Sequence, residues 1–151
     1  MTRSRRKLRR SDLRKFVMLE EYMLNSEAWM SLTTQGRAVY VELSRRFNGS
    51  NNGELSLSIR EAARLCRIAN DTAAKALKEL EAKGFIAVIQ KGSFGYKIRH
   101  ATIYRLTAFP TESEMATKDF MRWLNNNSVL NEKQNAIRLG PLHQDEQTSD
   151  A

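Results

Sequence analysis

Charged and hydrogen-bonding side chains recur at helical spacing just before and within residues 71–83. In an α-helix over this range, Asp71, Lys75 and Lys78 fall on one face, because residues three and four apart are neighbours. Side chains of these types bind the donors and acceptors on nucleobase edges and the oxygens of phosphate groups. The candidate DNA contacts of this stretch are Arg67, Asn70, Asp71, Thr72, Lys75 and Lys78.

Several of these residues have alternative roles. Lys75 can contact guanine or a phosphate, and Thr72 can contact a phosphate or a thymine methyl group. Asp71 lies near the helix N-terminus, where the helix dipole stabilises an acid without any ligand. Asn70 can contact adenine or cap the helix, and the cap can also fall one residue earlier, at Ala69.

The apolar residues predict a second helix directly before this one. Ser58 and Glu61 have the spacing of a capping box, which marks the start of a helix. The buried stripe of this helix is predicted to be Ile59, Ala62, Ala63 and Cys66. Its solvent-exposed side is predicted to carry Arg60, Glu61, Arg64 and Arg67.

Small residues line the faces that the two helices would turn towards each other. Alanines in both stripes allow close backbone approach, and Ile68 in the turn is predicted to fill the space between the helices. The stripe of the second helix is Ala73, Ala76, Leu77 and Leu80. The pair is therefore expected to be a helix-turn-helix.

A β-hairpin is predicted to follow. Gly84 is placed to end the helix, and residues 85–90 alternate as a strand with Phe85, Ala87 and Ile89 on one face. Residues 101–107 form a second β-rich run, so the two are expected to pair. Candidate phosphate or minor-groove contacts on this hairpin are Lys91, Ser93, Lys97 and Arg99.

Residues 32–107 resemble the winged helix-turn-helix superfamily, through REAARL, DTAAKALKELEAKGFI, KGSF and ATIYRLT in that order. These motifs are also similar to short bacterial plasmid and phage-type winged-helix proteins that act as replication proteins or repressors, among them a repressor of conjugal transfer. The resemblance implies an α+β fold with a three-helix core and a β-hairpin wing. It also implies that helix 71–83 enters the major groove.

The remaining elements are predicted to complete and cover this domain. Ser26 is placed to cap a short helix that contains Trp29, and Thr33 or Thr34 to cap a helix ending at Phe47. The residues GELSL supply a short strand, while Asn52 is interpreted as part of a turn without a ligand. Thr111 and Glu114 suggest a capping box for a packing helix in 111–124, where contact within the chain is favoured over a second subunit.

Charge is concentrated in the first part of the chain. Residues 1–110 carry 21 lysines and arginines against 10 acids, whereas residues 111–151 carry 4 against 7. Residues 1–15 are interpreted as a disordered basic arm that follows phosphates or enters a minor groove or, alternatively, only aids solubility. Its candidate contacts are Arg5, Arg6, Arg9 and Arg10.

The sequence offers nothing for catalysis or metal binding. His100 and His143 stand far apart, the single cysteine, Cys66, falls on an apolar stripe, and no catalytic motif is present. No enzyme activity, cofactor, metal, small-molecule ligand or membrane contact is therefore expected. A single cysteine and the lack of a long apolar segment favour a cytoplasmic, nucleoid-associated protein.

The predicted organisation is a basic arm (1–15), a DNA-binding domain (16–110), a packing helix (111–124) and a disordered tail (125–151). The expected partner is double-stranded DNA, bound by a transcriptional repressor, with a homodimer as one arrangement. A plasmid or phage-type replication or maintenance factor would use the same domain at an origin. A winged-helix protein-interaction module is the alternative from a different class, and it would bind DNA weakly with little dependence on salt.

Overall fold

The computed structural model describes residues 15–93 and 100–125. Within these residues it confirms the α+β class, with five α-helices and one small antiparallel sheet of strand order β1-β3-β2. The helices are α1 (Glu21–Leu24), α2 (Glu27–Met30), α3 (Thr34–Ser44), α4 (Ile59–Cys66) and α5 (Asn70–Ala82). The strands are β1 (Leu55–Ser56), β2 (Ile86–Gln90) and β3 (Ile103–Leu106), and a 3₁₀ helix spans Asp119–Arg122.

The alanine-rich faces of α4 and α5 lie in the core as the sequence predicts. Ala62 and Ala63 of α4 and Ala73 and Ala76 of α5 are all buried, and the two helices pack together. The prediction is wrong for Ile59, whose side chain is 44% exposed. Ile59 is the first residue of α4, and the buried part of the stripe begins one turn later, so the helical period alone does not describe this end.

The turn between α4 and α5 adopts an unusual backbone conformation at Arg67. Arg67 has φ 55° and ψ 46°, and its N–H donates to the carbonyl of Ala63 to end α4. This left-handed region costs a residue with a side chain about 1 kcal/mol. Ile68 follows and is partly buried against the core, in agreement with the prediction.

The first turn of α5 has no side-chain cap. Ala69 is the N-cap residue, with extended backbone, and Asn70 is already helical. This settles the choice between the two predicted caps. Among the described residues no side chain bonds the first amides of α5, in contrast to α4, where Ser58 Oγ accepts from the Glu61 amide at 3.2 Å.

The C-terminal half of α5 is held by the start of α3. Thr33 caps α3 by accepting from the Gly36 amide at 3.0 Å, and its own hydroxyl donates to Glu79 at 2.6 Å. Lys83 Nζ lies 2.9 Å from Glu79 Oε1 and also donates to the carbonyl of Ser31 at 2.7 Å. Burial raises the pKa of the Glu79 carboxyl, but hydrogen bonds from Lys83 and Thr33 outweigh it, so the pKa lies below its ordinary value.

The helix end and the first strand meet at Gly84. Gly84 has φ 79°, and the amide of Phe85 donates to the carbonyl of Leu80 at 2.9 Å, the arrangement of a Schellman cap. Phe85 and Ile86 are both buried, so the predicted alternation over 85–90 is wrong at its start. Phe85 enters the core from the cap, before β2 begins, and its ring lies edge to face with Trp29 and Tyr40.

The sheet pairs the predicted strands. β2 and β3 are antiparallel, with Ile86 opposite Leu106 and an irregularity between Val88 and Gln90. β1 pairs with β3 through Leu55 and Tyr104, as expected for the GELSL segment. Leu55, Leu106 and Ile86 are buried, so one side of this small sheet closes the core.

Asn52 is an internal hydrogen-bonding residue, in addition to its place in the predicted turn. Its side chain is only 6% exposed, its Oδ1 accepts from the Leu106 amide at 2.7 Å, and its Nδ2 donates to three carbonyls. These carbonyls belong to Leu106 (2.9 Å), Phe109 (2.8 Å) and Pro110 (3.2 Å). Asn52 therefore joins the loop before β1 to the segment after β3.

The predicted helix within 111–124 is largely absent. Thr111 Oγ1 accepts from the Glu114 amide at 3.0 Å, but only the 3₁₀ helix Asp119–Arg122 follows. The backbone amides of Lys118 and Phe120 donate to Thr107 and Gly84 instead of to a preceding turn, which prevents a longer helix. Phe120 is 1% exposed and stacks on Phe85 at 4.9 Å, so this segment packs on its own chain.

Within the described ranges, no helix has both the length and the hydropathy required of a membrane span. In the same ranges, no three histidine, cysteine or acidic side chains are grouped so that they could share a metal ion. The Cys66 thiol is partly buried, and burial raises its pKa, which lowers the fraction of reactive thiolate.

Candidate nucleic-acid interface

The outer face of α5 is polar and exposed. Asp71, Lys75 and Lys78 are exposed, whereas Ala73 and Leu77 on the opposite side are buried. Asn70 is also exposed, and Thr72 is half-buried at the edge of the face. The candidate residues of this helix therefore lie together on a surface open to solvent.

The two lysines on this face are not neutralised by the part of the chain that the structure describes. Neither Lys75 nor Lys78 forms an ion pair there, although Asp71 stands four residues before Lys75, at a spacing that permits one. Lys83 differs, because it pairs with Glu79 and lies 5.2 Å from the centre of the Trp123 ring. Lys83 is thus a packing residue, and the charges of Lys75 and Lys78 remain available to an anion.

The start of α5 presents hydrogen-bonding groups to solvent. Because Ala69 is the cap, the carboxamide of Asn70 is not needed as a capping group. Asp71 is the acid of the first turn and is stabilised there by the helix dipole, as one of its two interpretations requires. That interpretation and a base contact remain compatible, since the carboxylate is exposed.

Exposed arginines also occur on α4 and in the turn that follows it. Arg67, at the turn, is exposed, as are Arg60 and Arg64 on the outer side of α4. The helical pattern places Arg60 and Arg64 on the solvent side of α4. An exposed arginine on a single helix is most often only solvated, so the pattern alone assigns these two residues no binding role. Among the described residues, neither Arg60 nor Arg64 forms an ion pair.

Arginines at the end of α3 are committed to ion pairs. Arg45 binds Glu42 at 2.8 Å, and Arg46 binds Glu61 of α4 at 2.8 Å. On β3, Arg105 binds Glu114 at 3.1 Å with its side chain only 15% exposed. Arg46 and Arg105 join different elements, whereas Arg45 pairs within its own helix region. Because all three are paired with acids, they contribute less to the field outside the protein.

The hairpin residues are described only in part. Lys91 and Ser93 are exposed beyond the end of β2, and the carbonyl of Ser93 accepts from the His100 amide at 3.3 Å across the hairpin. Lys97 and Arg99 lie outside the described residues. The same holds for four candidates of the basic arm, Arg5, Arg6, Arg9 and Arg10.

Comparison with family models, with curated proteins and with solved structures finds no match for this chain.

Proposed function

We propose that this chain is a winged helix-turn-helix protein that binds duplex DNA with α5 in the major groove. The main observation for this is that α5 buries alanine and leucine on one side and exposes Asp71, Lys75 and Lys78 on the other. A helix with side chains is about 10–12 Å across, which suits a major groove about 12 Å wide.

Phosphate binding supplies most of the affinity in this proposal. Cations without acid partners in the described chain attract the DNA backbone and release its condensed counterions when they bind. Lys91 and Ser93, at the hairpin, contact phosphates and so position the protein on the duplex. Base selection belongs to α5, because only contacts to base edges distinguish sequences directly.

The biological role in this proposal is transcriptional repression by occupation of a promoter. A replication or maintenance factor at an origin would use the same contacts, and the position of the bound sites in a genome distinguishes the two roles. An interaction module would instead show weak DNA affinity with little dependence on salt.

Replacing Lys75 and Lys78 together by alanine is expected to weaken binding to a selected DNA site at least tenfold. One good base contact contributes about 1 to 3 kcal/mol, and both side chains are exposed, so the fold is retained. The site is obtained by enrichment from a random duplex library with the full chain. Affinity is then measured by fluorescence anisotropy, and folding by thermal unfolding.

The matched control is the double variant Arg45→Ala and Arg122→Ala, which also removes two positive charges. Both arginines are exposed and paired, with Glu42 and Asp119 respectively. This control is expected to bind nearly as well as the parent chain. Equal losses in the two variants would show that α5 has no special role, and the assignment of α5 to the groove would be withdrawn.

Deleting residues 1–14 is expected to flatten the plot of log affinity against log salt concentration. Each phosphate that the arm no longer binds reduces the slope by about 0.9, so loss of contacts from the four candidate arginines alone predicts a change of about 3.6. A variant with lysine in place of Arg5, Arg6, Arg9 and Arg10 keeps the charge and is expected to keep the slope. An unchanged slope after deletion would mean that the arm does not contact the duplex.

A further inference from the structure

Residues 139–151 differ in charge from the rest of the chain. They contain Asp145, Glu146 and Asp150 and no lysine or arginine, whereas residues 1–138 carry 25 lysines and arginines against 14 acids. We call residues 139–151 the acidic segment. Its charge is opposite in sign to that of the domain before it, so the two attract each other.

The outer face of α5 is a cationic surface without a partner in the described chain. Lys75 and Lys78 are exposed and three residues apart, so they are neighbours on the helix and repel each other. Asp71 stands four residues before Lys75, and Glu81 three residues after Lys78. Neither acid forms an ion pair with either lysine, and no other described residue does. An anion that binds both lysines therefore relieves their repulsion.

The described chain ends close to the end of α5. The Trp123 ring lies 5.2 Å from Lys83 Nζ, and Lys83 directly follows α5. Lys78 and Lys75 lie about 8 and 12 Å back from Lys83 along the helix axis, at 1.5 Å per residue.

The chain that leads from this point to the acidic segment is long enough to reach both lysines. It runs from Asn125, two residues after Trp123, to Leu139, and can span up to about 46 Å at about 3.3 Å per residue. The acidic segment therefore reaches the outer face of α5 without any change in the described fold.

We infer that the acidic segment occupies the outer face of α5 in the absence of DNA and competes with DNA phosphates for Lys75 and Lys78. The inference rests on the proposed function and adds its regulation. Because segment and face belong to one chain, their encounter is intramolecular, with an effective concentration of the order of 1 mM. Exposed ion pairs are individually weak and screened by salt, so the segment binds reversibly and a duplex displaces it.

The first test removes the charges and keeps the length of the chain. The variant Asp145→Asn, Glu146→Gln and Asp150→Asn, which we call the amide variant, is titrated on the selected duplex and on a scrambled duplex. At low salt its affinity is expected to exceed that of the parent chain at least about threefold. The gain is expected to be equal on both duplexes, because competition for the lysines carries no sequence information, and to disappear at high salt.

The matched control removes three acids elsewhere and so changes the net charge by the same amount. Glu21, Glu54 and Glu112 are exposed and form no ion pair with a described residue. Their joint replacement by glutamine is expected to change DNA affinity less than the amide variant does. Equal gains in the two variants would show that the segment acts only through net charge, and the inference would be overturned.

A second test locates the segment without DNA. A nitroxide label is attached at Thr148→Cys in a full chain that also carries Cys66→Ala, and amide signals are recorded by NMR. The label is expected to broaden the signals of Lys75 and Lys78, and addition of the selected duplex or of the three amide substitutions is expected to restore them. Broadening confined to residues 1–14 or to the exposed arginines of α4 would place the segment elsewhere and overturn the inference.

Failure of the inference and failure of the proposed function give different results. If the parent chain binds DNA and the amide variant binds it with the same affinity at all salt concentrations, only the inference is overturned. If the amide variant alone binds DNA, the segment blocks α5 and the inference is upheld. If neither chain binds either duplex, the proposed function is overturned, and competition with DNA is overturned with it.

Discussion

Replacing Asn52 by leucine is expected to lower the free energy of unfolding by about 3 to 5 kcal/mol, although the two side chains have similar shapes. The substitution leaves the Leu106 amide and three carbonyls without the partner that Asn52 supplies. A buried polar group left without its hydrogen bond costs about 1 to 3 kcal/mol. Leu106 is fully buried, so its amide is left without an acceptor away from water, and its carbonyl keeps only the 3.4 Å bond from the Phe109 amide. Urea denaturation of the full chain measures the change.

A second substitution at the same position tests whether hydrogen bonds from the Asn52 amide are the cause, through the pH dependence of stability. Asn52→Asp keeps the acceptor for the Leu106 amide but turns a second oxygen towards carbonyl oxygens, so burial and repulsion raise the pKa of the new carboxyl. A raised pKa in the folded state means that stability increases as pH falls, because the protonated form donates again.

The parent chain, in contrast, is expected to lose stability as pH falls. The pKa of Glu79 is lowered by Lys83 and Thr33, so its stabilisation is present above the ordinary carboxyl pKa and is lost as pH falls through the folded value. Equal stability of the leucine variant and the parent chain would contradict the role given to Asn52. A parallel pH dependence of the aspartate variant and the parent chain would contradict the orientation of its amide.

Replacing Phe120 by alanine is expected to lower the free energy of unfolding by about 3 to 5 kcal/mol. The Phe120 ring is buried, parallel to Phe85 within 6°, and 6.1 Å from the ring of Tyr22. Its removal opens a cavity in the aromatic core between Phe85 and Tyr22. Chemical denaturation followed by tryptophan fluorescence measures the effect.

Met121→Ala is the matched control for Phe120. Its side chain is 50% exposed in the same 3₁₀ helix, so a change within about 0.5 kcal/mol is expected. Equal and small effects at Phe120 and Met121 would mean that the segment after Pro110 is not part of the folding unit.

Local sequence patterns predicted α4 and α5 well because the interactions that form these helices are themselves local. A polar residue before the helix, a glycine after it and a repeated apolar spacing depend on neighbours within one or two turns. Ser58, Gly84 and the buried alanines all follow these rules in the structure. The exposed face of α5 follows from the same period.

The role of Asn52 could not be predicted in this way. Its four hydrogen bonds reach residues more than fifty positions away, and a sequence of asparagines and glycines looks the same whether it is solvated or buried. The segment after Pro110 differs from the helix predicted for it for a related reason. Thr111 and Glu114 form the expected local bond, but distant carbonyls at Gly84 and Thr107 take the amides that a helix would need.

For the candidate site, the residue types predicted correctly which side chains are exposed, but they did not predict which charges are paired with an acid. Lys75 and Lys78 are open to solvent as the helical period requires. The partners of Arg46 and Arg105, however, are Glu61 and Glu114, each on a different part of the chain. Only the fold separates the cations that are paired with acids from those, such as Lys75 and Lys78, that have no acid partner among the described residues.

The C-terminal half of α5 and its outer face differ in how much they contribute to the fold. Its C-terminal half is fixed by Thr33, Glu79 and Lys83, whereas its outer face, including Asp71 and Lys78, supports no other element of the described chain. Substitutions at exposed positions of this kind usually change stability by less than about 0.5 kcal/mol. Under the proposed function, a few substitutions on this face can therefore change which DNA sequence is bound, while the scaffold beneath it stays the same.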